Sequence, residues 1–341
     1  MDESKPRVGV IGIEHLHLFE MVAGLVDVGA VLVSHAATSG PLTDLYEGWR
    51  SDSERRTVGE VVDDATLDLI VIAAMPSDRG RIAVESLVGG HDVLVAKPAV
   101  TSFVDLEAID RAVVSTGRRW WVFFSERLAN RAISECVRRV RAGEIGELVA
   151  ITGLAPHTLG ASSRPEWFFD PARSGGILVD LAAHQADQLL ALAGRGDTTV
   201  TSAFVANAAT PTHPGFQDVG RMSLRHLNAA GRVVVSDHHV DYLSPAGLGT
   251  WGDVRLMVTG TTGTVEVRSN IDPAGPPGGE HLIIVDDEAP RRVDVSGVEL
   301  DWATRLCADM ADRTDTFMTH EHTSGACAIT LEAQRLGEDR A

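Results

Sequence analysis

Cysteine is scarce in this chain, and its few residues are not arranged for binding or cross-linking. Only Cys136, Cys307 and Cys327 are present, an odd number without a C-x-x-C spacing. This pattern argues against a disulfide framework and against a cysteine zinc site. We therefore expect the three cysteines to be core residues.

Long apolar runs and basic runs are also missing. No window of the 341 residues approaches the roughly eighteen apolar residues of a membrane span. The net charge of -18 disfavours nucleic acid and anionic membrane surfaces as partners. The start, MDESKPRVGVIG, lacks the basic and then apolar pattern of a signal peptide. The sequence therefore predicts a cytoplasmic protein with a small-molecule ligand.

The first part of the chain alternates short apolar strands with helices. This alternation indicates a parallel sheet covered on both faces, the doubly wound Rossmann arrangement. The predicted strands are Arg7 to Gly12, Ala30 to Ser34, Leu67 to Ala74, His91 to Val95, Trp120 to Phe124 and Leu148 to Thr152.

After Gly153 the pattern changes to strands without helices between them. Turn signals such as Gly260-Thr261-Thr262-Gly263 lie between segments of alternating polarity, which predicts an open antiparallel sheet. From about Trp302 the chain returns to helices. We predict three parts: a dinucleotide-binding domain at 1–125, an α/β substrate and oligomerisation domain at 126–300, and C-terminal helices at 301–341 that pack back on the first domain.

The turn after the first strand carries an incomplete phosphate-binding fingerprint. A G-x-G-x-x-G turn lets the backbone approach a pyrophosphate at a helix N-terminus. Here the turn reads Gly12-Ile13-Glu14-His15-Leu16-His17, with only the first glycine in place. The second strand ends near Ser34 and His35 rather than in the acidic residue that binds a ribose hydroxyl. The sequence therefore leaves the choice between NAD and NADP open.

Two further segments carry side chains suited to proton transfer. Lys97 and Pro98 follow the fourth strand, at the edge where such sheets bind ligands. In the segment from Ser174 to Gly196, predicted as one helix from Ile177 to Ala193, Asp180, His184, Asp187 and Gln188 form a polar stripe. The stripe either faces water, or it places a carboxylate where it raises the basicity of an imidazole and orients it.

In this order the motifs resemble the Gfo/Idh/MocA family, which is named after glucose-fructose oxidoreductase, inositol dehydrogenase and MocA. Lys97-Pro98 matches the family's Glu-Lys-Pro motif with Ala96 in place of the glutamate, and 175–187 matches its G-G-x-L-x-D-x-x-x-H-x-x-D helix. The resemblance covers essentially the whole chain. It implies an NAD(P)-dependent oxidoreductase acting on a sugar, cyclitol or related polyol, with Lys97, Asp180 and His184 in catalytic positions.

We favour His184 as the base and Lys97 as the group that orients and polarises the reacting oxygen, although the two roles could be exchanged. The exposed sheet face predicts a homodimer or homotetramer. The remaining assignments fall into two sets. The cofactor set is Gly12, Ile13, Glu14, His15, Ser34, His35, Ala74, Met75, Pro76 and Lys97, and the substrate set is Arg127, His157, Arg164 and Trp167.

Two other functions are consistent with parts of the sequence. His15 and His17 in the first turn, with His157, His184 and Asp237, resemble the ligand inventory of a metal-dependent hydrolase. Such a site would need a (β/α)8 barrel, which the second half does not favour. The other alternative is a redox-neutral or non-catalytic family member, suggested by the substituted glycines.

Overall fold

The structure is a computed structural model that describes residues 5–339. The predicted domains at 1–125 and 301–341 therefore begin or end outside the described residues. Contacts divide the chain into two compact units. The first unit runs through Phe123 and includes Asp301–Gly325, and the second contains Phe124–Leu300 and resumes at Ala326.

The first unit is built on a six-stranded parallel sheet. Its central strands are apolar and buried on both faces, as expected for a sheet covered by helices. The strands are β1 (Arg7–Ile11), β2 (Val31–Ala36), β3 (Glu54–Arg55), β4 (Leu69–Ile72), β5 (Asp92–Ala96) and β6 (Trp120–Phe123). The order β3-β2-β1-β4-β5-β6 reverses direction between β1 and β4. In such sheets a ligand binds at this reversal, beyond the carboxyl ends of the strands.

Local signals set several helix ends in this unit. Thr57 and Glu60 form a capping box, Ser102 caps the helix that follows it, and Gly117 ends that helix in the left-handed conformation. The helices are α1 (His17–Asp27), α2 (Pro41–Trp49), α3 (Val58–Val62), α4 (Pro76–Val88) and α5 (Phe103–Thr116).

The second unit contains an eight-stranded, mostly antiparallel sheet. Its strands are β7 (Leu148–Pro156), β8 (Gly196–Ala206), β9 (Val219–Asn228), β10 (Val233–Asp241), β11 (Arg255–Gly260), β12 (Thr264–Arg268), β13 (His281–Val285) and β14 (Arg291–Val293). Their order is β14-β13-β12-β11-β7-β10-β9-β8, and β7 pairs in parallel with β10.

The strand predicted at Leu148 to Thr152 as the sixth of the alternating series is therefore misplaced. It forms β7, which lies between β10 and β11 in the second sheet, while the short β3 completes the first. Side chains of β7 alternate between buried and exposed, which is typical of a sheet with one open face rather than one covered on both.

The segment predicted as one helix from Ile177 to Ala193 forms two. The first ends at Asp180, and at the junction the N–H of His184 donates to the carbonyl of Leu181, three residues back. The helices of this unit are α6 (Ser125–Leu128), α7 (Arg131–Arg141), α8 (Pro171–Ser174), α9 (Ile177–Asp180) and α10 (Ala183–Ala193).

Two helices close the chain, α11 (Trp302–Asp312) and α12 (His320–Glu338). No helix in the described part of the chain is long and apolar enough to cross a membrane. The predicted fold class, a Rossmann-type parallel sheet followed by an open antiparallel sheet, is confirmed.

Candidate active site

The turn after β1 is held against the ends of two neighbouring strands. The N–H of Gly12 donates to the carbonyl of Ala36 at 2.7 Å, and the N–H of Glu14 donates to that of Ala73 at 3.0 Å. Gly12 has a φ of 80°, and a Cβ there would lie 2.2 Å from the Cα of Ala74. Only glycine fits this position, since both its conformation and its contact exclude a side chain. The one retained glycine of the fingerprint is thus the one that the packing against β4 requires.

The side chains of the turn are directed to the loop after β2 and to each other. Oε1 of Glu14 accepts a hydrogen bond from the Thr38 hydroxyl at 2.9 Å. The N–H of His17 donates to Nδ1 of His15 at 3.2 Å, and the two imidazole centroids are 4.3 Å apart. Ile13 is buried. The carboxylate therefore stands beside the end of β2, where a dinucleotide fold binds the adenosine ribose.

Ser34 and His35 lie inside β2, not at its end, because the strand continues to Ala36. Both are buried. The imidazole of His35 lies 3.1 Å from the Ser53 hydroxyl and 3.1 Å from Oε1 of Glu47, and the latter hydrogen bond lowers the pKa of the Glu47 carboxyl. These contacts fit a structural role for His35.

The loop that does follow β2 contains polar groups that the sequence interpretation missed. The Arg55 guanidinium donates to the carbonyl of Ala37 at 3.2 Å and to the Ser39 hydroxyl at 3.1 Å. Thr38 contacts Glu14, as described above. The predicted second strand ends at Ser34, two residues before its observed end at Ala36. The correct strand end would have identified this loop.

Lys97 comes directly after β5, at the same edge of the sheet as the Gly12 turn. The residue is 5% exposed, and the Lys97-Pro98 peptide bond is cis. The other predicted cofactor residues at this edge, Ala74, Met75 and Pro76, connect β4 to α4, with Pro76 in the first turn of that helix. The first unit thus brings Gly12, Ala74 and Lys97 to one edge.

In the second unit, Gly176 leaves room for two amide side chains at the start of α9. The Oε1 atoms of Gln217 and Gln334 accept hydrogen bonds from the N–H groups of Ile177 and Leu178 at 3.2 and 2.9 Å. A Cβ at Gly176 would lie 2.3 Å from the Gln334 amide. These contacts fix the helix that ends at Asp180.

Asp180 accepts a hydrogen bond from the hydroxyl of Tyr242, a residue that the sequence interpretation missed. Burial, reinforced by the negative charge of Asp180, raises the pKa of Tyr242 well above its ordinary value, so the hydroxyl stays protonated and keeps donating. His184 is 2% exposed, and its ring lies 6.4 Å from that of Phe124. His184 is thus held away from bulk water, whereas Asp180 is partly exposed.

The polar stripe of α10 does not face water. His184, Gln185, Asp187 and Gln188 are all buried. The carboxylate of Asp187 accepts two hydrogen bonds from Arg127, at 2.6 and 2.7 Å, and Oε2 of Glu126 accepts from both glutamine amides. Burial of these side chains argues against a stripe that faces water along α10, and the orientation of His184 by Asp180 stays a prediction.

The other predicted substrate residues gather near Tyr242. The Arg164 guanidinium lies 4.3 Å above the ring of Phe168, which is 5.5 Å from the Tyr242 ring. The His157 ring is 6.3 Å from the same tyrosine, and Trp167 contacts Phe168 with centroids 6.2 Å apart. Arg127 is apart from this group, since it binds Asp187.

The metal-hydrolase alternative lacks a site in residues 5–339. No group of three or more His, Cys, Asp or Glu side chains in that range is placed to hold a metal ion. His15 and His17 belong to the first unit, whereas Asp237 accepts a hydrogen bond from Ser223 on the open sheet of the second. The chain also forms two sheets rather than the barrel that this function requires.

Comparison with known proteins supports the family resemblance. The model of the GFO/IDH/MocA C-terminal domain matches residues 133–266. A candidate oxidoreductase from Erwinia carotovora atroseptica is 30% identical, with a TM-score of 0.92 over 97% of this chain and 98% of that one. A search of curated proteins found no match.

More distant solved structures share the fold. One is levoglucosan dehydrogenase in complex with NADH and L-sorbose, 16% identical with a TM-score of 0.79 over 99% of this chain and 98% of that one. Another is biliverdin reductase from Synechocystis sp. PCC 6803 in complex with biliverdin and NADP+, 16% identical with a TM-score of 0.72 over 97% and 98%. These structures hold different small molecules on one fold, so the fold alone does not define a substrate. The extended similarity to the Erwinia protein and the family-model match show that this chain belongs to the Gfo/Idh/MocA family of oxidoreductases.

Proposed function

We propose that the protein transfers a hydride between the nicotinamide of NAD or NADP and a hydroxyl or carbonyl carbon of a sugar, cyclitol or related polyol. The observation that carries this proposal is the shared edge of the parallel sheet. There, Gly12 follows β1, next to the point where the strand order reverses, and Lys97 follows β5, so a glycine turn and an amine suited to proton handling lie at one edge of the sheet. Levoglucosan dehydrogenase, which has the same fold, binds NADH and a sugar.

The residues at this edge fit a dinucleotide in part. Gly12 provides the close approach that a pyrophosphate needs, because no Cβ fills the turn. Glu14 adds a carboxylate beside Thr38, which disfavours two phosphates nearby. Residues Gly12 to Glu14, the loop after β2 and the 74–76 segment would hold the nucleotide. Glu14 is the observation that favours the alternative of a redox-neutral or non-catalytic member.

When bound, the nicotinamide supplies the hydride acceptor or donor. Oxidation of an alcohol also requires removal of the hydroxyl proton, and a positioned base contributes about 10² to 10⁴-fold to that transfer. His184 accepts the proton at its imidazole and Asp180 orients the imidazole. Lys97 polarises the reacting oxygen, and the roles of Lys97 and His184 could be exchanged. Tyr242 donates to Asp180 and so restricts its carboxylate.

The substrate pocket is formed by the group around Tyr242. Arg164 and His157 offer donors to hydroxyl oxygens, and Trp167 offers a ring face to the apolar side of a sugar. Arg127 fits an indirect role better than direct contact, since both of its hydrogen bonds to Asp187 are made inside the protein.

Native mass spectrometry with metal analysis on the purified protein tests this proposal first. A retained dinucleotide, or calorimetric binding of NAD or NADP tighter than about 1 mM, supports it. Turnover of a panel of polyols, followed through the absorbance of reduced nicotinamide, then tests the substrate class. Absence of nucleotide binding together with a stoichiometric metal would overturn the proposal in favour of metal-dependent chemistry.

The open face of the second sheet supports a homodimer or homotetramer. Large apolar side chains from five of its strands are exposed on this sheet. They include Leu154 on β7, Phe204 on β8, Val233 and Val235 on β10, Met257 on β11 and Val285 on β13. Burying such a surface between copies stabilises an oligomer. Light scattering that shows only monomer at micromolar concentration would contradict this assembly.

A further inference from the structure

Arg79 on α4 is fully buried, with a side chain exposure of 0%. Its Nε donates to the carbonyl of Ala74 at 2.6 Å, and one terminal nitrogen donates to the carbonyls of Ala96 at 2.9 Å and Pro98 at 2.8 Å. Removing a guanidinium from water is costly, so a buried arginine held on main-chain carbonyls calls for a reason beyond stability.

The three carbonyls lie at the ends of two neighbouring strands, on the edge of the sheet where we place the nucleotide. Ala74 follows β4, and Ala96 and Pro98 stand on either side of Lys97 at the end of β5. The guanidinium is planar and its donors have fixed directions, so it fixes the relative positions of the groups it binds. Arg79 therefore fixes the main chain before and after Lys97. It thereby sets the direction in which the Lys97 side chain extends from the main chain.

The same contact extends to the nucleotide turn. Ala74 is the residue against which Gly12 packs, with no space for a Cβ between them. One side chain thus joins the support of the Gly12 turn to the main chain of Lys97. Reaction rates depend steeply on such placements, because a shift of about 1 Å can cost roughly 10²-fold.

The position of Arg79 is itself restricted by close helix packing. A Cβ at Gly80, the next residue of α4, would lie 2.5 Å from the Cβ of Asp105 on α5. The glycine lets the two helices approach closely at this point, so α4 has little freedom to shift and carry Arg79 with it.

We propose that Arg79 is a positioning residue that fixes Lys97 relative to the nucleotide turn, an inference that rests on the proposed function. The ammonium of a lysine is a compact charge and cannot bind three carbonyls along the plane of a guanidinium. Arg79→Lys keeps the charge and loses the geometry, so it separates placement from electrostatics.

The test compares Arg79→Lys and Arg79→Gln with Arg81→Lys. Arg81 lies on the same helix, is exposed and pairs with Glu85 four residues on, so its variant is the matched control. We expect Arg79→Lys to remain folded, to bind nucleotide within about threefold of wild type, and to lower kcat by roughly 30-fold with KM for the polyol changed less than about threefold. The control should leave all of these unchanged.

A second readout does not depend on activity. Limited acetylation of the protein without nucleotide, followed by peptide mapping, reports how freely the Lys97 amine moves and meets reagent. We expect the labelling rate of Lys97 to rise about tenfold in Arg79→Lys, with Lys5 as the internal reference. If Arg79→Lys does not fold, Arg79→Gln takes its place, because it retains an amide donor without the charge. We expect the labelling rate of Lys97 to rise in this variant as well.

The outcomes separate the two proposals. If Lys97→Ala abolishes turnover but Arg79→Lys keeps kcat within threefold and an unchanged labelling rate, the positioning role is wrong while the proposed function stands. If Lys97→Ala itself keeps full turnover, the role assigned to Lys97 in the proposed function is wrong, whatever the result at Arg79. Increased labelling with a selective loss in kcat supports the inference.

Discussion

The turn after β1 in the first unit and the α9–α10 segment in the second carry most of the family's motif residues, and they are built in opposite ways. In α10, Asp187 and the two glutamines are buried and bind side chains of α6. In the turn, the main chain is fixed by the carbonyls of Ala36 and Ala73, whereas the side chain of Glu14 is only half-buried.

This contrast explains where the sequence departs from the family pattern. A buried charge pair cannot lose one partner without leaving the other charge uncompensated in a medium of low dielectric constant. A half-exposed side chain in a turn can change, because water or a neighbour compensates it. The helix motif is intact in this chain, while the fingerprint keeps only Gly12.

Breaking the buried pair should give the largest effect. We expect Asp187→Ala to lower the free energy of unfolding by about 3 kcal/mol, because the largely buried guanidinium of Arg127 loses the carboxylate that compensates its charge. Urea denaturation of the single and double variants measures this. Removing both partners should cost less than the sum of the two single changes. The exposed Arg81–Glu85 pair should contribute only about 0 to 1 kcal/mol to the free energy of unfolding. A loss of that size in Asp187→Ala would show that burial does not strengthen the Arg127–Asp187 pair.

The next prediction compares one proposed catalytic residue from each unit. We expect Lys97→Ala and His184→Ala each to reduce turnover by about two orders of magnitude or more with the fold intact. Steady-state kinetics on a verified substrate, with circular dichroism as the folding control, provides the measurement. Asp180→Asn should be milder if the carboxylate only orients His184. Retention of more than about a third of wild-type kcat would reject the role of that residue.

Acid should weaken the second unit through a histidine buried in its sheet. Burial lowers the pKa of His238 to about 4, whereas the unfolded chain titrates near 6.5. Below pH 6.5 the unfolded state therefore binds more protons than the folded one, so stability is full above this value and falls as pH drops toward 4.

This contribution should amount to about 2 kcal/mol between pH 7 and pH 5. We expect His238→Gln to have a smaller difference in the free energy of unfolding between these two pH values than wild type, as measured in urea. An identical difference in the variant would contradict a neutral imidazole at this position.

The smallest expected effect concerns the turn. If the nucleotide binds over Gly12, Glu14→Gly should tighten NAD(P) binding by roughly tenfold, since it removes both a negative charge and a Cβ beside the pyrophosphate. It should also flatten the pH dependence, because protonated His15 or His17 would no longer offset the carboxylate. Calorimetric titration at several pH values measures both changes.

Glu14→Gln provides the control for charge alone. If Glu14→Gly binds nucleotide no better than wild type, the carboxylate either does not face the pyrophosphate or helps to bind the nucleotide. The hydrogen bond from Thr38 supports a role of Glu14 in binding the nucleotide, because it places the carboxylate beside the end of β2, where the ribose would lie.

The sequence by itself determined the features that depend on neighbours along the chain. Apolar runs such as Leu69–Ile72 identified the buried parallel strands, and turn chemistry identified the second sheet. The glycine at position 12 and the lysine after β5 were placed correctly relative to their strands, because a motif that follows a strand takes its position from that strand.

Only the tertiary structure decided which distant groups meet. Tyr242 and Asp180 are 62 residues apart, and Arg127 and Asp187 are 60 apart, so no local periodicity connects them. The same holds for β7, whose partners in the second sheet lie far along the chain. Helical spacing showed that α10 has a polar stripe, but burial of that stripe depends on what packs against it. Local patterns constrain local geometry, whereas partners for buried polar groups are chosen by the whole fold.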